Sequence, residues 1–267
     1  MAVSVLLQVS DAHFGTEDPQ VLDALRALAL EQAPDVAVWT GDLTQRARLE
    51  QFAAARRFVE TLPAVRTVAL PGNHDIPLYD LPRRVLQPYG HYRRAFGDDL
   101  EPELDRDDLL LVMVKTTRRW RHRHGELSDA QIERVAQRLQ RASARQLRVV
   151  ATHQPVHVRE PADERHRVRN ARDALAAWAA AGVDLVLSGH THRPDCYAVQ
   201  PGARPVWIVK AGTAISVRVR DGQPNSVNLI RHDAAADPAH CEVQRWDFEA
   251  SARRFMRVSR TRIALAR

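Results

Sequence analysis

Six short apolar runs recur along the chain, and each runs directly into a polar turn. They are VSVLLQVS (3–10), DVAVWTGD (35–42), RTVALPGNHD (66–75), LLLVMVKT (109–116), QLRVVATHQPV (146–156) and VDLVLSGHTHRP (183–194). Runs of this length without polar alternation are strands buried on both faces. Most are separated by stretches of helical periodicity, and that alternation specifies a layered α/β architecture. Asp18 and Pro19 are placed as N-cap and first helical residue of one helix. Leu49, Phe52, Ala53, Arg56 and Val59 line a second over roughly 45–62, and Ser128 caps another. Further helices are expected near 91–97 and over about 170–181. From about 195 the helical pattern stops. DCYAV, PVWIVKAGTA, SVNLIRHD and CEVQRWDFEA read as short strands of a second sheet. With no repeat or linker, 1–267 reads as one domain with a β-rich C-terminal part.

Five of the turns end in residues of one chemical kind: Asp11-Ala-His13, Gly41-Asp42, Gly72-Asn73-His74-Asp75, His153-Gln-Pro155 and Gly189-His190-Thr191-His192. Carboxyl ends of strands in an α/β sheet open onto a shared crevice, so residues 180 positions apart can meet there. Positions i and i+2 of an extended segment face one side, which would aim Asp11 with His13, and His190 with His192, at one cluster. The glycines permit sharp turns, and Pro71 and Pro155 stiffen the segments holding Asn73 and His153. Singly, each motif is compatible with an ordinary turn or a structural histidine. Their conjunction is not. Two carboxylates, one amide and four imidazoles, with no thiolate, suit Mn²⁺, Fe or Zn²⁺ rather than a structural cysteine-rich zinc site. Such a set leaves two divalent ions incompletely neutralised, which attracts phosphate and acidifies a bound water.

These motifs, DAH, GD, GNHD, H-x-P and GHTH, resemble those of the calcineurin-like metallophosphoesterases over residues 3 to about 215. The resemblance implies an α/β four-layer sandwich, two central mixed β-sheets flanked by helices, around a dimetal centre. It implies that Asp11, His13 and His192 hold one ion, that Asn73, His153 and His190 hold the other, and that Asp42 bridges. His74 would be catalytic, stabilising the transition state or protonating the leaving oxygen, with Asp75 orienting it; Asn73, His74 and Arg193 would contact substrate. GHTHRP, PGNHD, GELSDAQIERVAQRL and the AGTAISVRVR tail are similar to the bacterial group containing class III cyclic-nucleotide phosphodiesterases. The implied activity is metal-dependent hydrolysis of phosphodiesters, cyclic nucleotides among them. A broader phosphodiesterase or nuclease is the alternative, and a non-catalytic scaffold a further one, which the intact ligand set disfavours.

Composition constrains the rest. A net charge of +6 and a pI near 10.0 suit an anionic substrate, but the arginines are dispersed, so nucleic acid is not the favoured partner. The stretch TTRRWRHRHGE (116–126) is either a solvated loop or a rim that positions phosphate and stacks a base on Trp120. Cys196 and Cys241 are read as two buried thiols. No run is long enough to span a membrane, and the N-terminal run is too short for a signal-peptide core and lacks a basic lead-in, so a cytoplasmic protein is expected. A homo-oligomer is compatible with all of this.

Overall fold

The computed structural model describes residues 4–64, 66–220 and 222–266. Two mixed six-stranded sheets stack face to face. The first takes its parallel strands from β1 (Ser4–Val9), β2 (Val36–Trp39) and β3 (Arg66–Ala69). The second is built on β4 (Glu103–Arg106), β5 (Leu109–Val114), β6 (Leu147–Thr152) and β7 (Leu185–Ser188), of which β5, β6 and β7 are parallel. Helices α1 (Pro19–Gln32), α2 (Leu49–Thr61), α3 (Leu81–Leu86) and α4 (Gly90–Phe96) follow the strands of the first sheet, and α5 (Asp129–Gln140) and α6 (Ala171–Ala180) those of the second.

The C-terminal strands do not form a sheet of their own, contrary to the sequence reading. β8 (Asp195–Val199) and β9 (Val206–Lys210) extend the second sheet, giving the order β4-β5-β6-β7-β9-β8. β10 (Ser226–His232), β11 (His240–Glu249) and β12 (Arg254–Ala264) return to the first, giving β12-β11-β10-β1-β2-β3. The apolar edges left beside β7 and β1 explain this. β9 is buried along most of its length, as is β10, so each needs an existing sheet against which to complete its hydrogen bonding.

Strand periodicity divides the core into layers. Leu109, Leu111 and Met113 face the space between the sheets, with Leu6, Val36, Val38, Val149, Leu187 and Ile230. The alternate residues Leu110, Val112 and Val114 pack outward on Ile132, Val135 and Trp178 of α5 and α6. On the other side Leu7, Val9 and Trp39 pack on Leu25, Phe52 and Phe58 of α1 and α2. The result is the expected helix–sheet–sheet–helix sandwich. The caps form as read: Asp18 accepts from the amides of Gln20 and Val21, and Ser128 with Gln131 makes a capping box. Of the two thiols expected to be buried, Cys241 is fully buried and Cys196 only half-buried. No helix of the described residues is long and apolar enough to cross a membrane.

Candidate metal centre

The loops that leave β1, β2, β3, β6 and β7 meet at one end of the sandwich. Asp11 donates its amide to the Gly41 carbonyl and His13 its amide to the Asp42 carbonyl, so the first two loops run side by side. The Gly189 amide donates to the His153 carbonyl and the His190 amide to Asp11 Oδ2, which ties the second sheet's loops to the first's. Asp11, His13, Asp42, Asn73, His153 and His190 are buried, and His192 is partly so.

Asp11, His13, Asp42, His190 and His192 all have positive φ, between 47° and 67°. Extended segments would carry Asp11 with His13, and His190 with His192, on one side. The segments are left-handed turns instead. Non-glycine residues occupy this region at a cost, and a cluster of them at one place marks structure organised around a site rather than around packing. Close approach completes the assembly. A Cβ on Gly72 would lie 2.1 Å from the Asp42 amide nitrogen, and one on Gly189 1.8 Å from Ser10 Oγ.

With the imidazoles in their neutral, metal-ligating form, the donor atoms face one another with no protein hydrogen between them. His153 Nδ1 lies 2.9 Å from the Thr40 carbonyl oxygen, an acceptor only, so Nδ1 carries a hydrogen and the neutral ring presents its lone pair at Nε2. That lone pair points at Asn73 Oδ1, 3.1 Å away, and Asp42 Oδ1, 3.3 Å away. His192 likewise bonds the Arg218 carbonyl through Nδ1 at 2.9 Å and turns Nε2 toward Asp11 Oδ1 at 3.2 Å and His13 Nε2 at 3.2 Å. His13 Nε2 is also 3.9 Å from both Asp11 Oδ1 and Asp42 Oδ2. Asp11 Oδ1 and His190 Nδ1 are buried without a hydrogen-bond partner among the described residues. Ligand atoms about 2.0–2.2 Å from a common ion sit at separations of this order.

Two groups emerge, Asp11 with His13 and His192, and Asp42 with His153 and His190. Asp42 also joins His13 and His74 in a third cluster, so it stands between the two. The residues fit a pair of divalent ions, because acceptors converge with orphaned lone pairs between them.

The electrostatics of the cluster carry the same demand for positive charge. Burial alone would raise the Asp11 and Asp42 carboxyls, but His192 beside the first and His153 beside the second hold both below the usual carboxylate range. Burial would depress His153, yet the Asp42 charge outweighs it and pushes the imidazole up to about 9. Burial does prevail at His13, depressed to about 3, and at His190, which is also held low. These two remain neutral, as ligands must.

His74 stands beside the cluster, its ring 4.9 Å from that of His13. Its amide donates to Asp42 Oδ1 at 2.7 Å and its Nδ1 bonds the Gln45 carbonyl at 2.9 Å, leaving Nε2 for the cavity. The expectation that Asp75 orients His74 is therefore corrected. Asp75 instead accepts from the amides of Gly72 at 2.8 Å, Leu43 at 3.1 Å and Thr44 at 2.8 Å, and from the Thr44 hydroxyl at 2.8 Å. It clasps two loops together, because its buried carboxylate is the nearest acceptor for four donors. Burial and the Asp42 charge push its carboxyl up to about 7 against those bonds.

A cavity of about 410 Å³ opens over the cluster, lined by Asp42, Asn73, His74, His190 and His192 together with loop residues. His122 and Arg123 from the basic stretch reach it, whereas Trp120 is exposed with Arg119 stacked on its ring at 4.5 Å. Arg193 is not among the lining residues; its Nε sits 3.7 Å from the buried Asp163. Gln45, Arg218 and His166 line the cavity without having been singled out in the sequence. His166 Nδ1 lies 3.1 Å from His190 Nε2, so it fixes the ring that presents Nδ1 inward.

The calcineurin-like phosphoesterase profile matches residues 4–194, and the chain belongs to that family. Among solved structures it is similar to a purple acid phosphatase from yellow lupin (Lupinus luteus) seeds, with a TM-score of 0.73 at 12% identity. That match covers 98% of this chain but 54% of the lupin chain, so this chain spans about half the lupin enzyme. It is similar to a dimetal phosphatase from Danio rerio, with a TM-score of 0.66 at 14% identity over 98% of this chain and 99% of the other. Vps29 from Chaetomium thermophilum shares the fold at a TM-score of 0.54 and 10% identity, over 98% of both chains. No curated protein sequence matches the chain.

Proposed function

We propose that the chain is a dinuclear-metal-dependent phosphodiesterase acting on small phosphodiester or nucleotide substrates, cyclic nucleotides included. The observation that carries the reading is the convergence of His153 Nε2, Asp42 Oδ1 and Asn73 Oδ1, and of His192 Nε2, His13 Nε2 and Asp11 Oδ1, in one cluster that Asp42, Asn73 and His192 connect to the cavity. Asp11, His13 and His192 would hold one ion, Asn73, His153 and His190 the other, with Asp42 shared. When bound, such ions supply positive charge for the phosphoryl oxygens and acidify the attacking water.

The protein's own groups do the remainder. Asn73 fills its ligand position as a neutral amide, so the site keeps an excess of positive charge for an anionic diester. His74 presents Nε2 to the cavity because Gln45 occupies Nδ1. A protonated His74 there would donate to the leaving oxygen, or to a charged equatorial oxygen, as in-line displacement proceeds. Arg123 and Arg218 line the same cavity and would place positive charge beside a phosphate bound there.

Metal analysis after manganese, iron or zinc reconstitution, with a panel of bis(4-nitrophenyl) phosphate, a phosphomonoester, cyclic AMP and single-stranded DNA, tests this reading. The expected result is metal-dependent turnover of diesters above the monoester. Preference for the monoester, or no turnover by protein containing two ions per chain, contradicts it. A broader nuclease would show itself by DNA binding that falls steeply with salt.

A further inference from the structure

Beside the cavity over the metal ligands lies a second, of about 700 Å³. The two share Arg46, Leu78 and Tyr79 as a common wall. Each is of the size that small-ligand sites occupy, roughly 300–1,000 Å³. The second is lined beyond that wall by the end of the β2–α2 loop, the first turn of α2 and residues of 77–83, with His91.

The wall has the composition of a nucleotide platform. Tyr79 is 75% exposed although it is a large aromatic side chain. The Arg46 guanidinium lies over its ring at 5.2 Å and donates to the Tyr79 hydroxyl at 3.0 Å. The guanidinium thus sits toward the hydroxyl end of the ring, and most of the Tyr79 side chain stays open to solvent. Arg48 and Arg83 on the far side are neutralised by Glu50 at 3.9 Å and Asp80 at 3.4 Å. Arg46 has no ion pair among the described residues, so the free positive charge sits at the junction. An exposed aromatic ring with an uncompensated arginine beside it takes a base by stacking and its phosphate by charge.

Resting on the phosphodiesterase reading, we infer that the second cavity is a subsite for the distal nucleoside of a dinucleotide-sized phosphodiester. Tyr79 stacks the distal base, and Arg46 holds the phosphate side of that unit. The scissile phosphorus lies over the metal ligands. Hydrolysis adds one water, its oxygen bonding to phosphorus and its proton balancing the leaving oxygen as the phosphorus–oxygen bond to the neighbouring sugar breaks. A cyclic mononucleotide would occupy the first cavity alone and gain nothing from the wall.

The test uses manganese-reconstituted full chain with linear diadenylate (pApA), cyclic AMP and bis(4-nitrophenyl) phosphate. Wild type should prefer pApA to cyclic AMP in kcat/KM by at least tenfold. Tyr79→Ala should lower the ratio of kcat/KM for pApA to that for the aryl diester at least fivefold, mainly through KM, and Tyr79→Phe should recover most of it. Equal handling of pApA and cyclic AMP, or an equal fall on pApA and the aryl diester, overturns the subsite. Calorimetric binding of a phosphorothioate-linked diadenylate provides a readout independent of turnover. Tyr79→Ala should weaken it at least fivefold, and unchanged affinity overturns the inference. Should no diester be hydrolysed at all, the phosphodiesterase reading fails, while this binding comparison still decides the subsite.

Discussion

Gly72→Ala is the substitution whose consequences follow most directly from the structure. Gly72 has φ −91° and ψ −175°, an extended conformation that alanine adopts freely. The backbone therefore raises no objection, and only space does. A Cβ there would lie 2.1 Å from the Asp42 amide nitrogen and 2.2 Å from Asp42 Oδ1, whereas real Cβ contacts stay beyond 3.0 Å. The two loops must separate by about 1 Å, because one neighbouring atom is backbone and the other is a short buried carboxylate held by the His74 amide and His153. Overpacking of this kind costs about 1–3 kcal/mol. At roughly 2–4 °C per kcal/mol for domains near this size, Tm should fall by about 2–12 °C. The moved carboxylate is the one shared by both ligand groups, and displacement of about 1 Å in a catalytic constellation costs on the order of 100-fold. Thermal unfolding, metal content and aryl-diester turnover should all decline together. Gly202→Ala, with nothing within 4 Å of the added Cβ, serves as control and should unfold at the wild-type temperature. Wild-type Tm and turnover in Gly72→Ala would refute the close-contact argument.

Three other outcomes are expected. His74→Ala should retain two ions while losing about 10²–10⁴-fold in turnover of poor leaving groups, and less with an aryl leaving group that needs no proton; steady-state kinetics across leaving groups check this. Asp75→Asn replaces an acceptor by an NH₂ facing the donors of Gly72, Leu43 or Thr44, at about 1–3 kcal/mol for each donor left unsatisfied, so urea unfolding should show a loss of at least about 2 kcal/mol. In metal-free protein the His153 imidazole is raised from 6.5 to about 9. Its stabilising contribution is complete below 6.5 and lost as pH rises through about 9. A metal ion must displace that proton, so metal affinity should climb between pH 7 and 9 with proton release on binding, measurable by calorimetry in buffers of different ionisation heat.

The sheets were legible because β1, β2, β5, β6 and β7 are buried along nearly their whole length and leave near-continuous apolar runs, broken only by residues such as Gln8 and Arg148. β12 was not foreseen, since most of its residues are exposed and Arg254, Arg257, Arg260 and Arg262 break any alternation; pairing with β11 holds it in place. β4 was hidden for the same reason, a four-residue edge strand of Glu-Leu-Asp-Arg. α3 is short and lies among prolines, so it presents too few turns for periodicity to register. The residues of the cluster could be read because histidine, aspartate and asparagine follow one strand after another. Their left-handed backbones could not, because aspartate and histidine reveal no φ in sequence. Nor could Gln45, His166 and Arg218, which reach the cavity from two loops and the end of a 3-10 helix whose paths depend on the whole fold.

Anomalous diffraction from crystals of the manganese-reconstituted chain tests the central claim most directly. The account predicts two peaks, one among Asp11, His13 and His192, the other among Asn73, His153 and His190, with the Asp42 carboxylate between them. A single peak, or ions lying away from Asp42, would contradict it.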